Sequence, residues 1–161
     1  MLRDPTDAGT TLVKRVLAVA GDHVRWDGSL VVLNGRPLAH HPHPTAAPLL
    51  AEVCAETRED DSDYIVLEET LEDRRHPIVV RSGGGGPLGE IVVPPGMVFL
   101  SGDMRARSRD SRIFGPVRVD AVASRAAVVW SRCAAPLFGQ RWLWLCDPRT
   151  IRWGRVGHPI R

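Results

Sequence analysis

Lysine is almost missing from this sequence. Lys14 is the only lysine among 21 basic residues, and all the others are arginine. Arginine stays charged in proteins, whereas a buried lysine can lose its proton and then accept one. A lone lysine against this bias indicates either a site that needs a neutral amine or a local contact that suits an ammonium group.

Long apolar runs, paired cysteines and a strong net charge are missing too. No apolar stretch approaches the ~20 residues of a membrane helix, and the first residues form no targeting segment. A net charge of +2 gives no broad basic face, so we expect no nucleic-acid partner. The three cysteines match no zinc spacing, so we expect neither a metal nor a cofactor. Cys133 and Cys146 could form a disulfide or remain small buried side chains.

Short strand-like segments dominate, and helical periodicity is nearly absent. Glycine and proline turns separate the segments, which favours a mostly β fold of antiparallel sheets with little helix. Asn34-Gly35 predicts a hairpin turn, and residues 39–63 are expected to form an exposed loop with one short helix at Leu49–Thr57. The predicted strands are Leu12–Val19, Leu30–Leu33, Tyr64–Glu68, Ile78–Arg81, Glu90–Val93, Met97–Ser101, Val117–Val122, Ala126–Trp130, Trp142–Leu145 and Ile151–Trp153.

Lys14 lies inside one of these apolar segments. Leu12–Val19 is rich in β-branched residues and ends at Gly21-Asp22, which predicts a buried strand closing in a turn. Removing an ammonium group from water is costly, so burial favours the neutral amine, which can act as a general base. The alternative is a lysine that extends its amine to solvent from a strand edge.

A second polar stretch, Ser101–Val117, lies between two apolar strands. Such loops often carry a binding or catalytic site on a rigid scaffold. Asp110 and Arg112 could form a bidentate ion pair that holds the loop's shape, and Ser108 could place a hydroxyl near a buried amine. The alternative is a solvated, charged surface loop.

The two stretches in this order resemble the type I signal peptidases of bacteria. The resemblance rests on Lys14-Arg15-Val16 before Gly21-Asp22 and on Gly102–Val117, and it extends through Ile91–Gly96 and Ile151–Gly157. Members of this family are membrane-bound serine–lysine proteases that remove leader peptides from exported preproteins at the outer face of the cytoplasmic membrane. Where the family often has Asn, Asp and Asn, this chain has Met104, Ala106 and Arg107.

The resemblance also implies a two-lobe architecture. The catalytic core lobe would comprise residues 1–24 and 94–161, and residues 25–93 would form an inserted, smaller β lobe.

The resemblance gives roles to eight residues. Lys14 corresponds to the general base, and Ser108 to the serine whose hydroxyl orients the amine. Gly102 corresponds to a position where a side chain would crowd the amine. The remaining residues correspond to supporting ion pairs: Asp110 with Arg112, and a second charged layer of Asp103 and Arg105 whose partners could include Arg15.

The nucleophile is the main departure from the family pattern. In the family it precedes the lysine in a Ser-Met-x-Pro type segment, but no serine precedes Lys14 here, and Thr6, Thr10 and Thr11 lie outside that context. Thr10 would share a strand face with Lys14. We therefore expect the isolated chain to be inactive. Three origins stay open: a piece of a longer anchored enzyme, one half of a split peptidase, or a non-catalytic scaffold that binds exported chains or a partner.

Overall fold

The computed structural model describes residues 1–28, 30–47, 49–51, 63–86, 88–129 and 158–159. Met1–Ser124 form one compact unit and Arg125–Arg161 another. In the described part of the chain, no helix has the length and apolar character needed to cross a membrane.

Antiparallel β-strands make up most of the first unit. Among the described residues of this unit, helix occurs at residues 46–47 and 49–51 and in a single turn at Ser111–Phe114 (α1). Residue 63 and Val119–Ala121 are in 3₁₀ conformation. The strands of this unit are Leu2–Asp4 (β1), Asp7–Leu12 (β2), Arg15–Val19 (β3), His23–Asp27 (β4), Leu30–Leu33 (β5), Arg36–Pro37 (β6), Ala39–Pro42 (β7), Tyr64–Leu71 (β8), Arg74–Arg81 (β9), Leu88–Val92 (β10), Met97–Ser101 (β11) and Val117–Arg118 (β12).

These strands form four small sheets. The strand orders are β1-β2, β10-β4-β5-β6, β12-β11-β3 and β7-β8-β9. In the second unit, the described residues contain one antiparallel pair, Val128–Val129 (β13) with His158–Pro159 (β14). The expected antiparallel, mostly β fold is confirmed, whereas the expected division into core and inserted lobes stays a prediction.

Strand β11 separates two apolar cores, because successive side chains of a strand point to opposite faces. Phe99 packs with Leu17, Trp26 and other residues of the β3 and β4–β5 region. Val98 and Leu100 pack instead with a cluster that includes Leu2. Since β11 leads directly into the polar stretch, both cores fix the point at which that stretch begins.

One turn and one strand were predicted correctly from local signals. The hairpin of β5 and β6 turns at Asn34 and Gly35, with φ angles of 52° and 75°. Both residues adopt the left-handed conformation that an Asn-Gly turn favours. Strand β11 has the predicted bounds, Met97–Ser101.

Three local predictions were wrong. The strand expected over Leu12–Val19 is interrupted, since Val13 and Lys14 lie between β2 and β3. The strand expected over Val117–Val122 ends at Arg118, where the chain turns into the 3₁₀ segment. The expected exposed loop at residues 39–63 begins with strand β7, which pairs with β8.

Other predictions lie outside the described residues. They are the strands Trp142–Leu145 and Ile151–Trp153, the helix beyond residue 51, and the pairing of Cys133 with Cys146.

Candidate active site

Strand pairing brings Lys14 to the start of the polar stretch. In the antiparallel pair of β3 and β11, Arg15 is the partner of Ser101. Lys14 immediately precedes β3 and Gly102 immediately follows β11, so this pairing places the two residues side by side. We call residues 102–110, between β11 and α1, the site loop.

The amine of Lys14 meets a hydroxyl of the site loop. Lys14 Nζ donates a hydrogen bond to Ser108 Oγ at 2.8 Å, across 94 positions of sequence. Gly102 lies against both groups, because a Cβ atom there would stand 2.1 Å from Ser108 Oγ and 3.3 Å from Lys14 Nζ. Any side chain at this position would push the hydroxyl away from the amine.

Lys14 is partly buried, and this burial changes its protonation. Desolvation lowers the pKa of the Lys14 amine, against the attraction of the nearby Asp110 carboxylate, which raises it. The folded protein therefore releases this proton more readily than the unfolded chain. Between the lowered pKa of Lys14 in the folded protein and its ordinary pKa in the unfolded chain, a rise in pH therefore makes the folded state more stable.

We predict that Lys14 titrates below the ordinary value of 10.5 in the folded protein. Because the chain has one lysine, NMR of protein carrying isotope-labelled lysine gives a single side-chain signal. The same signal in urea is the control and should titrate at the ordinary pKa. Equal midpoints in the folded and denatured protein would contradict burial of the amine.

Asp110 fastens both ends of the site loop. Its buried carboxylate accepts hydrogen bonds from Arg112 Nε and Nη2, each at 2.8 Å, and from the Gly102 backbone N–H at 2.9 Å. It also caps α1 by accepting from the Arg112 backbone N–H at 3.2 Å. Burial raises the pKa of the Asp110 carboxyl, but the hydrogen bonds from Arg112 and Gly102 outweigh burial and hold this pKa below its usual value.

A second ion pair lies next to Lys14 in the sequence. Arg15 donates from Nε and Nη2 to the two carboxylate oxygens of Asp103, each at 2.9 Å. This bidentate ion pair joins the first residue of β3 to the site loop. It is more exposed than the Asp110 pair, with 44% of the Asp103 side chain accessible to solvent.

Comparisons with known proteins identify the family of this chain. The family described as "Signal peptidase, peptidase S26" matches residues 1–131, which is most of the chain. The chain belongs to this family. Signal peptidase I of Rickettsia akari is 26% identical over 140 residues, and that of Mycobacterium tuberculosis H37Rv is 37% identical over 108 residues.

The match covers only part of these signal peptidases. The aligned region is 81% of this chain and 49% of the Rickettsia protein, so the chain spans about half the length of that relative. For the Mycobacterium protein the shares are 66% and 28%. A solved signal peptidase I from Enterococcus faecalis V583 aligns with a TM-score of 0.40 and 23% identity, over 74% of this chain and 85% of that one.

The site loop is docked on strand β9. The Val79 backbone N–H donates to Asp103 O at 2.9 Å, and the Ala106 N–H donates to Val79 O at 3.1 Å. Met104 and Ala106, which replace polar residues common in the family, pack against an apolar cluster on the β7-β8-β9 sheet. Their apolar character therefore suits a loop that lies against a sheet.

Arg105 pairs with a residue that the sequence reasoning missed. Its guanidinium forms a bidentate pair with Glu69 on β8, whereas Arg15 pairs with Asp103. Glu69 is completely buried and also binds His40 and His76. Strand alternation places Glu69 on the same face of β8 as the apolar residues Ile65 and Leu67. This signal for its burial was missed because the expected strand ended at Glu68.

No other hydroxyl of the described residues hydrogen-bonds Lys14. Thr10 Oγ1 donates instead to Asp7 at 2.6 Å, and Thr6 Oγ1 donates to Asp4 at 2.8 Å. No group of three or more His, Cys, Asp or Glu residues in the described ranges is arranged to hold a metal ion. The groups gathered here are thus an amine of lowered pKa, one hydroxyl and supporting ion pairs.

Proposed function

We propose that this chain carries the general-base part of a serine–lysine endopeptidase that removes leader peptides from exported preproteins. The contact between Lys14 Nζ and Ser108 Oγ at 2.8 Å carries the proposal. It is supported by the lowered pKa of the amine and by membership of the signal peptidase family. The working location would be the outer face of the bacterial cytoplasmic membrane.

The amine and hydroxyl suit proton transfer. When neutral Lys14 donates one N–H to Ser108, its lone pair stays free to accept a proton. A nucleophilic hydroxyl that attacks the scissile carbonyl would form the C–O bond and give its proton to Nζ. The resulting ammonium would return that proton to the departing amine as the C–N bond breaks, leaving an acyl-enzyme for hydrolysis.

The nucleophilic serine would come from outside this sequence. Either a preceding segment of the same protein or a complementary chain would supply it, together with the oxyanion donors and a membrane anchor. The chain by itself would then bind leader peptides weakly and cleave none.

A non-catalytic scaffold is the second candidate. It is favoured by the finding that Ser108 is the only hydroxyl bonded to Lys14 among the described residues. Such a scaffold would bind exported chains or a partner peptidase. The DNA upstream of Met1 separates the candidates: an in-frame apolar helix followed by Ser-Met-x-Pro favours the enzyme, and a stop codon favours a split or inactive protein.

We expect cleavage of a leader-peptide substrate once the serine-bearing segment is fused to or mixed with this chain. Mass spectrometry of the products would locate the cut after a small residue. The same segment with alanine in place of its serine is the control and should give no product. Binding of the leader peptide without cleavage by the complemented protein would favour the scaffold and overturn the peptidase proposal.

A further inference from the structure

A buried ionic cluster surrounds Glu69 behind the site loop. Its carboxylate accepts hydrogen bonds from His40 Nε2 at 2.9 Å, His76 Nε2 at 3.1 Å and Arg105 Nη1 at 2.9 Å. Arg105 Nη2 donates the fourth bond. Side-chain exposure is 0% for Glu69 and 1% for Arg105, so the pair is shielded from water.

The sheet builds this cluster by strand register. His40 on β7 and His76 on β9 are the direct cross-strand partners of Glu69 on β8. Direct partners place their side chains side by side on the same face. The two histidines therefore hold the carboxylate from both sides, and Arg105 approaches it from the site loop.

Hydrogen bonding keeps the Glu69 carboxylate ionised. Burial raises the pKa of this carboxyl, but the hydrogen bonds from His40, His76 and Arg105 and the charge of Arg105 lower it much further. His76 Nδ1 is buried and has no hydrogen-bond partner within the described part of the chain. A proton there would be unsatisfied, which favours the tautomer that carries its proton on Nε2 and donates it to Glu69.

Arg105 connects the cluster to the Lys14 site. Its Nε donates to the carbonyl oxygen of Gly102 at 3.1 Å, and its own carbonyl accepts from Arg112 Nη1 at 2.8 Å. Gly102 is the residue that lies against both Ser108 Oγ and Lys14 Nζ. A displacement of Arg105 would therefore move the backbone that sets the distance between hydroxyl and amine.

We propose that Glu69 is a positioning residue of the Lys14–Ser108 site and acts through Arg105 on Gly102. The carboxylate anchors the Arg105 guanidinium, which holds the Gly102 carbonyl and thereby keeps Ser108 next to the amine. Its relevance to catalysis rests on the proposed function, whereas the positioning itself can be measured without any substrate.

Replacing Glu69 with glutamine preserves the size of the side chain but removes the negative charge that anchors Arg105. We expect the Lys14 signal of E69Q to lose most of its downward pKa shift, because Ser108 and Gly102 no longer hold the amine in place. Glu68→Gln is the matched control: the adjacent side chain reaches Arg75 at 3.5 Å. It should leave the Lys14 titration unchanged.

A double variant distinguishes loss of positioning from loss of folding. E69Q leaves the buried Arg105 without its carboxylate partner, which is strongly destabilising, whereas replacing both members of a buried ion pair is often tolerated. Glu69→Gln with Arg105→Gln should therefore fold, as judged by circular dichroism, and should still show the altered Lys14 pKa. An unchanged Lys14 pKa in either folded variant, or loss of folding in both, would overturn the positioning role.

The NMR result is independent of the proposed function. If the complemented protein cleaves no leader peptide, the Lys14 titration still tests the action of Glu69. If it does cleave, E69Q should lower kcat by up to about 10²-fold, the effect of a displacement of ~1 Å. KM should stay nearly the same, since Glu69 is fully buried and has no surface that a bound peptide could contact.

Discussion

Replacing Lys14 with arginine is expected to reduce leader-peptide cleavage by the complemented protein about 10²–10⁴-fold, the usual contribution of a general base. Arginine keeps a positive charge at this position but cannot give up its proton at neutral pH. The loss should appear in kcat, measured by chromatographic separation of the cleaved and intact peptide.

The control for this variant is the replacement of an exposed arginine with lysine. Arg25 on β4 faces solvent, and its ion pair with Asp27 is distant, at 4.0 Å. Arg25→Lys should cleave at the wild-type rate. Equal rates for wild type and Lys14→Arg would remove Lys14 from the mechanism, whatever the fold.

The second large effect is on stability. Replacing Asp110 with asparagine leaves the Arg112 guanidinium without its charged partner and weakens the bond to the Gly102 N–H. We expect a loss of about 3 kcal/mol in the free energy of unfolding, at the low end for a broken buried pair. Arg112 keeps some access to water, with 19% of its side chain exposed, and this limits the cost. Urea denaturation followed by circular dichroism measures the loss.

The pH dependence tests the cause of that loss. Because the folded pKa of Asp110 is lowered below 3.8, its contribution is present above that value and disappears as pH falls through the folded pKa. Asp110→Asn should therefore lose part of the wild-type acid sensitivity. Asp120→Asn is the control, since Asp120 pairs with Arg118 on the surface, and it should unfold at the wild-type urea concentration. A similar decrease in both variants would contradict a special role for Asp110.

Local chemistry explains which parts of the fold were predictable. The Asn34-Gly35 hairpin depends on two residues whose φ angles suit one turn type, so adjacent residues decide it. The break at Val13 and Lys14 was not predictable in this way, because the apolar pattern continues across it. Pairing with β11 determines where β3 begins, and this partner lies more than eighty residues further along the chain.

The same contrast applies to the site. The contact of Lys14 with the stretch around Ser108 was expected from two sequence motifs in a fixed order. Glu69 belongs to no motif, and its burial depends on three strands that meet with His40 and His76 in register. Alternation along β8 places Glu69 on the same face as Ile65 and Leu67. It does not show that Arg105 of the site loop reaches that face and pairs with Glu69.

The glycine beside the amine has a consequence for the balance between stability and function. Gly102 is not among the residues with a left-handed backbone, so an alanine would fit its φ angle. Such a replacement commonly stabilises a protein by about 0.4–1 kcal/mol, because it restricts the unfolded chain. Here the methyl group would occupy the space of the Ser108 hydroxyl. At this position the contact between two polar groups therefore excludes a substitution that elsewhere would stabilise the fold.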